Sequence, residues 1–221
     1  MSYFTCTVGS HQLFSIASRH PHLFSHPPSR RRVGVFSKSS PPPPPIHAFG
    51  ILGIVGPLDE RNSGWVVTDF GAWAFLISQV KGYSAECSTW NMMRPVRPLF
   101  PDDSVVFGEA GCDRLVLPLP FPSEADVDAE ISAVVFKTKC LLSLRSAALN
   151  VKRGETIVLL LVGHGSSGPN GFLFNITMQP NTGDGEASIT KGELELVLEV
   201  CQGEILVICN SCQSGDLVSD R

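Results

Sequence analysis

The sequence predicts an α/β domain on a mostly parallel sheet. Three observations carry that reading. Thr156 to Val162 is an apolar run, β-branched in part and bounded by Gly154 and Gly163. That is how a strand buried on both faces of a parallel sheet reads. Ile205 to Ile208 repeats the pattern. Between them Thr190-x-x-Glu193 forms a capping box, opening a helix with Leu194, Val197 and Leu198 on one side and Gly203 at its end. Strand, helix, strand at this spacing is a right-handed βαβ unit with parallel strands.

The rest of the chain divides unevenly. Residues 1–45 are rich in Ser, Pro, His and Arg and end in the run Pro41 to Pro45. Such a run favours extended polyproline II and does not join a core, which predicts a disordered tail. An acid-free, Arg- and Ser-bearing start also fits a mitochondrial transit peptide. The folded domain is expected over 46–221. Trp65 to Val67 reads as a short strand. Thr68 or Asp69 would then cap a helix to about Val80, with Trp73, Leu76, Ile77 and Val80 at helical spacing and Gly82 as its stop. Residues 104–107 and 114–117 are strand candidates within a proline-rich stretch. Ser123 with Glu124 and Asp126 reads as the start of a long helix to about Leu149, its apolar side made of Val127, Ile131, Val134, Val135, Leu141 and Leu142.

Bulk properties narrow the function classes. The chain has 221 residues, 43% of them hydrophobic, and a formal net charge of −4. That charge gives no reason to expect nucleic acid or an anionic membrane as partner. Residues 1–58 hold no Asp or Glu and five basic residues, leaving 12 basic and 21 acidic beyond them. No stretch of 18 apolar residues exists, so no helical membrane span is expected. Seven cysteines at irregular spacing read as reduced thiols, which suits the cytoplasm, with the mitochondrion as the alternative.

The βαβ unit places two chemical groups together. His164 follows the first strand, in Val162-Gly163-His164-Gly165-Ser166. Cys212 follows the second, in Cys209-Asn210-Ser211-Cys212-Gln213-Ser214-Gly215. Open α/β sheets build their sites past the C-terminal ends of their strands. An imidazole near a thiol promotes the nucleophilic thiolate. Gly165 would let the backbone approach a substrate carbonyl, and Gly215 would allow a tight turn after the nucleophile. The N–H groups of Gly165 and Cys212 could together bind an oxyanion. His164 reads as the one imidazole available to the domain.

These motifs resemble those of clan CD cysteine peptidases, which include caspases, metacaspases and legumains. Leu159 to Gly165 matches their apolar strand ending in His-Gly, and Ile205 to Gly215 their nucleophile segment. The His164-to-Cys212 separation is 48 residues, close to the roughly 50-residue caspase offset. Residues 61–150 are more weakly similar to fungal caspase-like proteins of unassigned activity. The resemblance implies a caspase-like three-layer α/β/α fold, a His164–Cys212 dyad and cleavage of peptide or protein substrates without metal or cofactor. A homodimer is compatible with it. Asn210 stands where metacaspases and legumains carry an acidic S1 residue, so a preference for basic P1 residues does not carry over. Asn210 remains the substrate-pocket candidate. The chain ends nine residues past Cys212, so the family's C-terminal strands are expected to be missing. A catalytically inactive scaffold is therefore the alternative.

Rival readings are weaker. Cys209-x-x-Cys212 could be a redox pair, but such pairs usually open a helix, and Cys209 lies within a strand. One C-x-x-C with scattered cysteines is a poor zinc pattern. Gly163-x-Gly165-x-x-Gly168 imitates a dinucleotide fingerprint, yet Pro169 stands where the phosphate-binding helix should start. Asn175-Ile176-Thr177 is a glycosylation sequon, idle in a cytosolic protein.

Overall fold

A computed structural model describes residues 5–8, 41–53, 60–92, 104–107, 114–118, 132–168, 171–176, 188–212 and 214–218. Its centre is a parallel sheet. The strands in chain order are β1 (Thr5–Val8), β2 (Ile46–Leu52), β3 (Thr89–Met92), β6 (Thr156–Val162) and β10 (Glu204–Asn210), arranged β1-β10-β6-β2-β3. A separate antiparallel pair joins β4 (Ser104–Phe107) to β5 (Leu115–Pro118). The chain runs outward from β2 to β3 on one side and from β6 to β10 on the other. The strand order therefore reverses between β2 and β6, a point where open α/β sheets form crevices at their C-terminal ends.

Side chains alternate across this sheet with the period of two that strands impose. Phe49, Ile51, Ile157, Leu159, Leu161, Ile205, Val207 and Cys209 face one core. Ala48, Leu52, Val158, Leu160, Val162 and Ile208 face the other. Helix α1 (Glu60–Ser78) covers the second core with Val66, Val67, Phe70, Ala74 and Ile77. Helices α2 (Ala133–Asn150) and α3 (Lys191–Leu198) cover the first. The class is thus mixed α/β with a parallel sheet and helices on both faces. None of the helices among the described residues is long and apolar enough to cross a membrane.

Several elements differ from expectation. Trp65 to Val67 lie inside α1, because Val66 and Val67 sit on its buried face, and the core outweighs the local preference of β-branched residues for strands. Of the apolar positions expected to face inward on α1, Ile77 does so, Trp73 is partly buried, and Leu76 and Val80 are exposed. Helix α2 is capped by Ser132, whose Oγ accepts from the Val135 N–H at 3.4 Å, while Ser123, read as the start of this helix, lies outside the described residues. Its buried face is Phe136, Cys140, Leu144 and Ala148, while Val134, Val135 and Leu142 point outward. Val127 and Ile131, expected on that helix, lie outside the described residues. Thr5–Val8, within the region read as a tail, forms edge strand β1 in register with Leu206–Cys209. The exposed backbone edge of β10 offers a template for such a short strand.

The capping box of α3 is present as read. Thr190 Oγ1 accepts from the Glu193 N–H at 3.1 Å, and Glu193 Oε2 accepts from the Thr190 N–H at 2.9 Å. Burial alone would raise the Glu193 pKa. Lys137, with Nζ 2.7 Å from Glu193 Oε1, and the Thr190 N–H outweigh that and hold it below the usual glutamate value. A carboxyl depressed in the folded state stabilises above its unfolded pKa, and that contribution is lost as pH falls through the folded value. Glu193→Gln keeps the box and removes the charge. The variant should unfold more easily in urea at neutral pH. The difference should vanish well below pH of about 4.3, the ordinary glutamate value. A constant difference across that range would contradict the assignment.

Candidate active site

Strands β6 and β10 pair in parallel along their full length, ending at Val162 opposite Asn210. The ladder extends one residue further, with the Gly163 N–H donating to the Asn210 carbonyl at 3.2 Å. His164 and Cys212 each stand two residues past that last matched pair. Adjacent strands lie roughly 4.8 Å apart, so both residues emerge at one corner of the sheet. Gly53 extends β2 in the same way, its N–H donating to the Val162 carbonyl at 2.9 Å.

Backbone packing is tight at this corner. A Cβ on Gly165 would strike the Cys212 carbonyl oxygen and lie 2.9 Å from Ser211 Oγ. The backbones that flank the imidazole and the thiol are therefore in contact, and position 165 has room only for hydrogen. Gly163 is comparably placed, since a Cβ there would lie 2.8 Å from the Gly53 carbonyl. The close approach that Gly165 permits in the structure is to the Cys212 backbone.

His164 opens β7 (His164–Gly168), which pairs antiparallel with β8 (Gly171–Asn175). Strand β8 pairs in turn with β9 (Ser188–Thr190), which completes a small antiparallel sheet between β6 and α3. Phe172 and Phe174 on β8 are buried in the core beneath α2 and α3 and anchor that sheet. The carboxamide of Asn175, the sequon residue, is engaged with Ser166 Oγ and, at 2.8 Å, Ser188 Oγ. His164 is half-buried with its Nε2 enclosed by protein, whereas Cys212 is exposed. A second imidazole also belongs to the domain. His47 is buried on β2, with Nε2 3.2 Å from Glu155 Oε2. It pairs with Ile157, five residues before the Leu52–Val162 pair, which puts it roughly 17 Å away at the opposite end of the sheet. Distance, not absence, removes it from competition with His164.

Asn210, the pocket candidate, ends β10 half-buried and donates from Nδ2 to Asp69 Oδ2 at 2.9 Å. Asp69 lies mid-way along α1 and is not its cap. The sequence did not single it out for the site, because only the packing of α1 on the sheet spans the 141 residues between the partners. Gly215 begins a short helix, α4 (Gly215–Val218), with open space around its Cα and no left-handed φ, so its glycine character is not what shapes the turn. Cys209 is buried in the core beneath α2 and α3, with Sγ 3.1 Å from Ser211 Oγ. The two members of the C-x-x-C thus occupy different environments, one interior and one at the surface. Among the described residues, no three His, Cys, Asp or Glu side chains converge as metal ligands. Comparison with protein-family models, curated proteins and solved structures found no match to this chain.

The environments make a chemical prediction. Burial pushes the Cys140 thiol up to about 12, and thiolate is the reactive form. Iodoacetamide at mildly alkaline pH should alkylate Cys87 and Cys212, both exposed, in the folded protein. Cys140 and Cys209 should react only after denaturation. Peptide mapping by mass spectrometry checks this, and rapid native labelling of Cys140 would contradict the packing of α2.

Proposed function

We propose that the chain is a cysteine endopeptidase domain of the caspase-like type, with Cys212 as nucleophile and His164 as its acid–base partner. The observation that supports it is the meeting of two strand ends: register brings His164 and Cys212 to one corner, and Gly165 touches the Cys212 backbone. The Cys212 thiolate attacks the scissile carbonyl carbon, and the oxygen takes up the negative charge. The N–H groups of Gly165 and Cys212 stabilise that oxyanion. As the C–N bond breaks, His164 gives its proton to the leaving amine, and a thioester remains on Cys212. Water, deprotonated by His164, releases the acid and restores the thiol. In this reading the amide of Asn210, steadied by Asp69, meets a polar group of the substrate beside the nucleophile.

A catalytically inactive caspase-like module is the second reading. His164, half-buried with its Nε2 enclosed by protein, favours it, because an acid–base group has to reach the leaving amine. A fluorogenic peptide library varied at P1 separates the two. Turnover that is blocked by thiol alkylation supports the peptidase. No turnover at any P1 residue sinks the enzyme claim and leaves the scaffold.

A further inference from the structure

The proline run lies at the opposite end of the sheet from His164 and Cys212, and the proposed chemistry makes no use of it. Pro41 to Pro45 lead into β2, and the Pro45 carbonyl accepts from the N–H of Thr156, the first residue of β6, at 3.2 Å. Val162 ends that strand, roughly 20 Å away at about 3.3 Å per residue. A proline ring fixes its own φ and pushes the residue before it out of the helical region. Five in succession hold a polyproline II helix with three residues per turn. Exposure follows that period. Pro41 and Pro44 form one ridge and are exposed, as are Pro42 and Pro45 on the second. Pro43 shares the third ridge with Ile46, and both are half-buried. The third ridge is the one that rests on the protein. The Ile46 N–H donates to the Gly82 carbonyl at 2.8 Å, and its side chain packs against the core beneath α1. Gly82 makes the close contact, at a left-handed φ of 98°. A Cβ there would lie 2.6 Å from the Pro44 carbonyl oxygen and 3.6 Å from Cγ of Pro43.

Anchoring of this kind lowers the ordering cost that a free tail would meet on binding. Two adjacent proline ridges are left facing outward. Their backbone offers carbonyl acceptors and no N–H donor. Such a ligand suits a groove of aromatic side chains tipped with donors, the O–H of tyrosine and the N–H of tryptophan. Charge narrows the partner. Lys81, next to Gly82, is exposed. In sequence the run follows Arg30, Arg31, Arg32 and Lys38, and residues 1–58 hold no acid. A groove with acidic walls is the complement. We propose that Pro41 to Pro45 are a docking ligand for an SH3-type domain, taken up through the ridges Pro41/Pro44 and Pro42/Pro45.

The test titrates the full chain against a panel of purified SH3 domains, with WW domains in parallel, by isothermal calorimetry. SH3 binding should be saturable and one to one. Pro41→Ala with Pro44→Ala should weaken it by about 10-fold or more, and Pro42→Ala with Pro45→Ala likewise. Pro43→Ala, on the ridge turned toward the protein, should change it by less than about 3-fold. Lys81→Glu should weaken it, more at low salt than at high. The prolines and Lys81 lie outside both cores, so unchanged circular dichroism verifies folding in every variant. A chain that binds no SH3 domain, or WW domains alone, overturns the proposal. So does SH3 binding that survives both paired substitutions or is indifferent to Lys81→Glu, or a Pro43→Ala loss equal to theirs.

Discussion

Cys212→Ala is expected to reduce peptide turnover to the uncatalysed background, a loss on the order of 10³-fold or more, because no other group can form the thioester. His164→Ala should retain the nucleophile but lose the proton donor for the leaving amine, costing on the order of 10²–10⁴-fold. The two losses should not add. A double variant should be no worse than Cys212→Ala alone, since the groups act as a unit. Neither side chain belongs to the two cores, so thermal stability should be nearly unchanged. Steady-state kinetics on a cleaved fluorogenic peptide give all three values. Activity surviving in Cys212→Ala would show that a different nucleophile operates.

Gly165→Ala should disable the site without touching either reactive side chain. The new methyl meets the Cys212 carbonyl, which is backbone and cannot rotate away. Either β7 moves or the turn carrying Cys212 moves. A displacement of about 1 Å is enough to cost on the order of 10²-fold in rate. The accompanying loss of stability should be about 1–3 kcal/mol, as for other overpacked sites. Gly192→Ala is the control. It lies in α3 with open space around its Cα and should stabilise the fold by about 0.5–1 kcal/mol. Urea titration and kcat measured on the same preparations separate the two effects. Gly165→Ala with wild-type kcat would mean that the contact does not position Cys212.

The elements that sequence made legible are those whose signal is local or complete in itself. Strands β6 and β10 are buried on both faces, so their apolar runs need no knowledge of neighbours. The Thr190–Glu193 box closes within one helical turn. What escaped depends on distant partners. The polar stretch His164-Gly165-Ser166-Ser167-Gly168 has poor intrinsic preference for strands, and it forms β7 through its pairing with the Phe-rich β8. The inward face of α2 was misjudged because apolar residues occur on both its sides, and periodicity cannot say which side meets the sheet. Asp69 entered the site only when α1 packed beside β10. That His164 and Cys212 would follow neighbouring strand ends was legible, since the two apolar runs and the glycines after them mark those ends. How tightly their backbones meet was not, because that follows from the register between β6 and β10.

The central claim is that Cys212 is a nucleophile activated beside His164. An electrophilic peptide, such as an acyloxymethyl ketone library mixed at P1, tests it most directly. Intact-mass analysis and peptide mapping should find one adduct, on Cys212, formed far faster in the wild type than in His164→Ala. Adducts spread evenly over Cys87 and Cys212, or a Cys212 adduct formed equally fast without His164, would contradict it.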